Sequence, residues 1–432
     1  MKQTRPLGLA SAVAMVVASM IGTGVFTTSG FLLADLGSRS AVLAAWGVGG
    51  VIAAFGALSY GALARRIPES GGEYLFLSRT LHPSAGFLAG WISLLVGFSA
   101  PMAAAAMAFG EYTKAWWPGW DPRWVATVLM AGLSGIHAVR VEPGAWVQNA
   151  AVVLKLVLIA VFVGCAAGRL PPAEAAALAG QGVWSPAFAV SLVWVSFSYA
   201  GWNAAVYVGG EVRDAERNLP RALLAGSLLV MVIYLGLNFV FLRAVPVAEL
   251  QGKLEVGRIA ARALGGAAWA EAVTALVALA LVTSVSSVAM AGPRVYARMA
   301  EDGCLPGWLG GGAGAPRAAI GFQLAVALVM LWTATYERLL TYIGFTLSLS
   351  TAATVVGLMR LRLREGPSLR VPGWPWVPGL FVASVAWMVV FAVWRKPVEC
   401  GWGLATMVAG WAVWRVALGR ARGQVGNGRG DE

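Results

Sequence analysis

Three groups of residues in this sequence have types and spacings that suit chemistry. Lys155 stands inside the run VQNAAVVLKLVLIAVFVG, flanked by Leu154 and Leu156. A lysine deep in such a run costs roughly 2.5–3.5 kcal/mol to insert into a bilayer, and it is too deep to reach the headgroups easily. One reading gives it a water-filled crevice and no role. The other gives it backbone carbonyls of a broken helix as partners. Desolvation disfavours the charged form of an amine, which is a basis for gaining and losing a proton in a working cycle. The second group is a pair of glycine-bearing stretches, ASMIGTGVF with Gly22, Thr23 and Gly24, and SFSYAGWNAAVYVGGE with Ala200 and Gly201. The third is TSVSSVAMAGPR, in which Thr283, Ser286 and Ser287 offer hydroxyls at helical spacing. Such hydroxyls commonly bond their own backbone. If that helix packs beside the first, Ser286 or Ser287 would share the amine of Lys155.

The glycine stretches lie in the middle of apolar runs, where an unbroken Leu/Ile/Val helix is more stable. A glycine costs about 1 kcal/mol relative to alanine inside a helix. One explanation is close packing of neighbouring helices on small residues. The other is that both helices come apart there. A half-helix N-terminus then offers N–H donors to a carboxylate, and a half-helix C-terminus offers carbonyls to an ammonium. A free amino acid carries both charges on one carbon, so backbone atoms alone suffice to recognise it.

The surrounding elements must be membrane spans. Of 432 residues, 59% are hydrophobic and 12% charged, a balance that suits a bilayer rather than a soluble core. The 54 glycines and 20 tryptophans fit close helix packing and interfacial anchoring. Apolar runs predict about twelve transmembrane helices. They begin at Leu9, Ala41, Ser84, Trp124, Gln148, Pro186, Ala222, Trp269, Ala318, Leu339, Trp376 and Trp402. Arginines crowd alternate loops, at Arg5, Arg65, Arg66, Arg79, Arg140, Arg213, Arg217, Arg221, Arg294, Arg298, Arg360, Arg362, Arg364, Arg420 and Arg422. That set outnumbers its opposite, although the long loop from Arg243 to Ala268 is also basic, so both termini are expected in the cytoplasm of a multi-pass cell-membrane protein. The net charge of +12 is therefore topological and does not point to nucleic acid.

The two glycine stretches lie five spans apart. A unit of five crossings inserts its second copy upside down, which sets two interrupted helices face to face at the midplane. The expected fold is all-α and integral to the membrane, a five-plus-five inverted repeat with helices 1 and 6 broken at mid-membrane. The chain divides into an N-terminus at 1–8, a first repeat at 9–167, a second at 186–360, two more helices at 374–418 and a polar tail at 419–432, expected to be disordered. No enzyme motif such as HExxH or GxSxG occurs, nor paired intramembrane carboxylates, so no catalytic residue is assigned. His82, His137, Cys165, Cys304 and Cys400 lack metal-ligand spacing, and no metal or cofactor is expected.

The motifs ASMIGTGVF, RRIPESGGEYLFLSRTLHPSAGFLAGW and FSYAGWNAAVYVGGEVRDAERNLPRAL resemble those of the amino acid–polyamine–organocation (APC) superfamily, with its LeuT-like inverted repeat. The likeness covers nearly the whole chain. The GWN at Gly201, Trp202 and Asn203 is closest to the branch of L-type amino acid transporters and bacterial serine/threonine exchangers. The resemblance implies that Thr23 and Gly24 bind the substrate carboxylate. It implies that carbonyls of Met20 or Ile21, and of Phe197 and Ala200, bind the amino group, that Phe197 caps the substrate and that Asn203 influences transport. Lys155 matches a lysine that takes the place of sodium in sodium-independent members. Ala200 departs from the glycine common in this branch, and Thr23 stands where serine is frequent. The implied function is alternating-access transport of neutral L-amino acids, sodium-independent, by exchange or with protons. Cationic amino acid or polyamine transport on the same fold is the alternative, and a non-transporting amino acid sensor is the alternative of another class. A membrane enzyme and an ion channel find no motif. Glu211 is a candidate for an inner gate, against a plain surface role. A partner subunit is neither required nor excluded by these motifs.

Overall fold

The computed structural model describes residues 7–139, 145–172, 182–301, 303, 305–310 and 316–427. Arg5, Arg140 and Cys304 lie outside the described residues, as do the side chains of Arg298, Arg420 and Arg422. All regular structure among the described residues is helical, apart from an isolated bridge between Leu7 and Val212.

The first apolar run is two helices, α1 (Leu9–Met20) and α2 (Gly24–Leu36), bent by 43° across three residues. Next comes α3 (Arg39–Arg66), opened by Ser38, whose hydroxyl accepts from the Ala41 N–H. A short helix α4 (Gly72–Thr80) occupies the following connection. The third run is α5 (Pro83–Ile92), a π-helical segment at Ser93–Ser99, and α6 (Ala100–Thr113). Pro101 cannot donate to the turn before it, and a widened turn is a common answer. The chain continues through α7 (Pro122–Val139), α8 (Ala145–Ala167) and α9 (Pro186–Tyr199). Ser185 caps α9 by accepting from the Phe188 N–H at 3.1 Å, and Pro186 sits at its first turn.

At Ala200 the helix stops. Residues 200–203 are irregular, and a 3₁₀ segment follows at Ala204–Glu211. Fourteen residues of α9 rise about 21 Å, short of a full crossing. Then come α10 (Ala215–Ala244), α11 (Val247–Leu250) and α12 (Val256–Glu301), the last kinked at Gly266. The final helices are α13 (Arg317–Thr333), α14 (Tyr336–Glu365), α15 (Trp376–Arg395) and α16 (Pro397–Asn427), which continues past Gly419.

Six helices among the described residues are long and apolar enough to cross a membrane, or seven if α1 and α2 make one span. Shorter apolar helices stand at Val153–Ala167 and Arg317–Thr333. The outside of the bundle is apolar: Val128, Ile136, Val157, Val161, Val232, Val390 and Val408 are exposed, while Thr27, Thr28, Ser29, Asn238, Thr346 and Thr354 are fully buried. A protein solvated by water sorts these types the other way. Tryptophans at 116, 120, 124, 184, 308, 376, 394 and 402 are also exposed. Within the bundle, α9 packs against α2, α3, α14 and α15, and α10 against α1 and α3, so the two interrupted segments lie side by side.

Candidate functional site

The two interruptions touch. A Cβ on Gly201 would come within 2.6 Å of the Ser19 carbonyl, and Gly201 has φ +101°, a backbone that side chains rarely adopt. A Cβ on Gly24 would come within 2.5 Å of the Ser198 backbone. These glycines therefore serve both readings of the sequence, close packing and interruption. Gly22 differs, because its nearest neighbour would be Ser284 Oγ at 3.8 Å, an ordinary contact.

Several backbone groups freed by the breaks find partners. Lys155, only 4% exposed, donates from Nζ to the Ile21 carbonyl at 2.5 Å. Tyr234 Oη lies 2.5 Å from the Met20 carbonyl and 3.0 Å from the Ser198 carbonyl, so one hydroxyl bridges both interrupted segments. The Gly22 N–H turns back to Met20 O, and the Ala200 N–H to Phe197 O. The Met20 carbonyl accepts from both Tyr234 and Gly22, whereas the Ile21 carbonyl keeps a second lone pair beside Lys155. At the start of α2, Thr23 makes no side-chain capping bond, and the first N–H groups of a helix have no partner within it.

A cavity of about 550 Å³ surrounds this junction. Met20, Ile21, Gly22, Thr23, Gly24, Lys155, Phe197, Ala200, Gly201, Asn203 and Ser287 line it. The structure does not bring Ser286 there. Its hydroxyl lies 2.9 Å from His137 Nε2 on α7. The reason is helical geometry: successive residues point about 100° apart, so Thr283, Ser284 and Ser287 share the cavity face of α12 and Ser286 faces away.

Sequence reasoning missed two residues. Tyr234 is one, a fully buried aromatic on α10 with no distinguishing sequence signal. Glu73 on α4 is the other. It lines the same cavity and is 5% exposed, although its stretch reads as a charged connection. Its Oε1 accepts from Tyr60 Oη at 2.8 Å and from Asn203 Nδ2 at 2.9 Å, and its Oε2 from Ser350 Oγ at 2.6 Å. The GGEY turn, which binds α4 tightly to its neighbours, was the available signal. Burial pushes the Glu73 carboxyl above its ordinary range, against the pull of bonds from Ser350, Tyr60 and Asn203. The cavity thus takes its acid from a connection between the apolar runs.

Away from the cavity, α2 is tied to its neighbours by buried hydroxyls and backbone. Tyr112 Oη donates to the Phe26 carbonyl at 2.6 Å and accepts from the Gly257 N–H. Thr27 and Tyr336 share a hydroxyl contact of 2.6 Å. Gly252 N–H bonds Gly30 O at 2.8 Å, where any side chain on Gly30 would collide with the Lys253 carbonyl.

Residues 7–414 match the family model described as amino acid permease. The chain is similar to the large neutral amino acids transporter small subunit 2 of Rattus norvegicus, at 29% identity over 94% of this chain and 79% of that one. It is similar to the serine/threonine exchanger SteT of Bacillus subtilis (strain 168), at 26% identity over 95% and 96%. It is also similar to the Asc-type amino acid transporter 1 of Mus musculus, at 28% identity over 94% and 80%. With nearly its whole length matched and its two interruptions joined over a common cavity, the chain belongs to the amino acid permease family.

Proposed function

We propose that this protein is a sodium-independent secondary transporter of amino acids, with neutral L-amino acids as substrates and exchange or proton coupling as its mode. The observation that carries this reading is the cavity at the meeting point of two interrupted helices, with a buried lysine on the Ile21 carbonyl. The N–H groups opening α2 at Thr23 and Gly24 receive the substrate carboxylate. Carbonyls of Met20 or Ile21, and of Phe197 and Ala200, receive the ammonium, with Met20 exchanging one of its two present donors to do so, and Phe197 covers the side chain. Lys155 supplies a fixed positive charge where a sodium ion would otherwise hold the broken α1–α2 carbonyls together. Ser287 stands on the same cavity as a coupling residue, and Asn203 borders the substrate.

On this reading the chain crosses the cell membrane about twelve times. It does so as a LeuT-like inverted repeat with both termini in the cytoplasm, and the α1–α2 and α9 segments rock against the remaining helices. The similarity to transporters and exchangers of amino acids supports this reading, and the apolar exterior supports the membrane setting.

The test is counterflow of labelled amino acids in proteoliposomes holding the full chain. Exchange that persists when sodium is replaced by choline is the expected result. Binding without counterflow would make the protein a sensor, and strict sodium dependence would remove the role given to Lys155.

A further inference from the structure

The connection between α3 and α5 is usually a place for solvated charges, yet here it holds a buried carboxylate with three partners from three other segments. Tyr60 belongs to α3, Ser350 to α14, and Asn203 to the irregular stretch just after α9 breaks. A carboxylate only accepts, so the Asn203 amide must turn its nitrogen to Glu73, which leaves its oxygen for other partners. All three partners are uncharged.

The neighbouring contacts form a surface between the same two stretches. Gly72 sits where a side chain would strike the Tyr207 ring. A Cβ on Gly209 would meet the Pro68 carbonyl at 3.0 Å, and the Gly210 N–H donates to Ser70 Oγ at 3.0 Å. So residues 67–73 and 203–211 lie face to face on glycines, backbone groups and polar bonds, beside the buried Ile67, Ala205 and Val206. The 204–211 stretch is 3₁₀, contains a non-helical Val208, and so is weakly held by its own bonds. Beyond it, Leu7 N–H donates to Glu211 O and Arg213 N–H to Leu7 O, which ties the approach to α1 to the same stretch. Ser348 lines the cavity and is 7% exposed.

We propose that Glu73 is the latch of an inner gate formed by residues 67–73 and 203–211, and that release of Asn203 from its carboxylate opens the cavity toward the face that carries the N-terminal segment. This rests on the transport reading above, because a gate has work only where the cavity must open. Asn203, expected from the sequence as a residue that influences transport, does so here through its bond to Glu73. Glu211, the acid singled out as a gate candidate, contributes its backbone to the tie with Leu7.

The experiment uses the full chain with Cys165, Cys304 and Cys400 changed to serine, and Ser348→Cys as a reporter labelled by a charged thiol reagent from the inner face. Glu73→Ala should speed labelling at least tenfold. Glu73→Gln keeps an oxygen that accepts from Asn203 and Tyr60 and turns its amide N–H to the Ser350 hydroxyl, and it should stay within about threefold of the parent, as hydrogen-bond retention predicts. Equal labelling in the parent and a folded Glu73→Ala variant would overturn the latch. A second measurement does not depend on Glu73→Ala folding. A Cβ on Gly210 would lie 3.1 Å from Ser70 Oγ, so the pair Ser70→Cys and Gly210→Cys is within disulfide reach. Oxidation should stop counterflow and reduction should restore it; undiminished counterflow in the cross-linked protein would overturn the gate. If the parent moves no amino acid at all, the transport reading fails, and labelling of Ser348→Cys still decides whether the gate exists.

Discussion

Lys155 and Glu73 are buried ionisable side chains on one cavity, and each carries a different expectation. Replacing Lys155 with alanine leaves the Ile21 carbonyl without its charged donor. Hydrogen bonds to charged groups contribute about 1.5–3 kcal/mol, so exchange is expected to fall at least tenfold while the protein still elutes as a folded monodisperse species in detergent. Unchanged exchange in that variant would mean the amine is only tolerated. For Glu73 the sign of pH follows from burial. In the latched form its carboxyl binds a proton more tightly than in an open, hydrated form, where it returns to its ordinary value of 4.5. Acidifying the inner side therefore favours the latched form. The effect is complete below 4.5 and disappears as pH rises through the raised value. The other groups facing the carboxyl are Tyr60 on α3, Tyr207 and Asn203 beyond α9, and Ser350 on α14. A difference of one pKa unit between the two forms weights them about tenfold at the acidic limit. Inner-side labelling of Ser348→Cys should slow with acid in the parent and lose that dependence in Glu73→Gln. Lys155 was legible because a lone charge in an apolar run has no bland company. Glu73 was not, because a glutamate beside arginines in a glycine-rich connection looks solvated, and only the packing of α4 against α3 and α14 shows otherwise.

At the scale of elements, the two interruptions carry the architecture. Gly201 combines a positive φ with contact to the Ser19 carbonyl, so Gly201→Ala meets both backbone strain and overpacking. Each is worth about 1–3 kcal/mol. Gly24→Ala meets the Ser198 backbone and should cost about 1–3 kcal/mol by overpacking alone. Gly22→Ala meets only Ser284 Oγ at 3.8 Å and should change thermal unfolding little. Measured unfolding temperatures in detergent check this ranking, and equal losses at all three positions would refute it. The glycine stretches announced both breaks in the sequence. They did not announce that the breaks brace each other, since that depends on how α9 lies against α2. The choice between Ser286 and Ser287, which the sequence left open, has the same origin: spacing along α12 gives relative angles between hydroxyls, while the packing of α12 decides which of them faces inward.

At the scale of the whole molecule, most of the organisation was open to reading. Composition pointed to lipid as solvent, and the exposed valines and tryptophans, with Thr27, Thr28, Ser29 and Asn238 fully buried inside, agree with it. Most helices start within a few residues of the apolar runs, but α10 begins seven residues before Ala222 and α12 thirteen before Trp269, and α4, the π-helical segment before Pro101 and the kink at Gly266 answer to tertiary contacts or local backbone demands that hydropathy does not record. For transport, neutral amino acids are expected to compete with one another for counterflow in proteoliposomes, with undiminished rates in choline. A panel in which only one amino acid competes would contradict a cavity of about 550 Å³, which is roomier than a single small side chain requires.

On the transport reading proposed above, the junction at residues 20–24 and 197–201 offers the ligand peptide groups, and peptide groups are the same whatever side chains the gene encodes. Point substitution can therefore neither easily erase the grip on the invariant α-carbon portion nor easily redirect it. Selectivity is left to the surrounding wall, where residues such as Phe197, Ser287 and Ile343 can be exchanged while the anchor stays in place. Descendants of such a scaffold can diversify their diet one wall residue at a time without reinventing how they hold on.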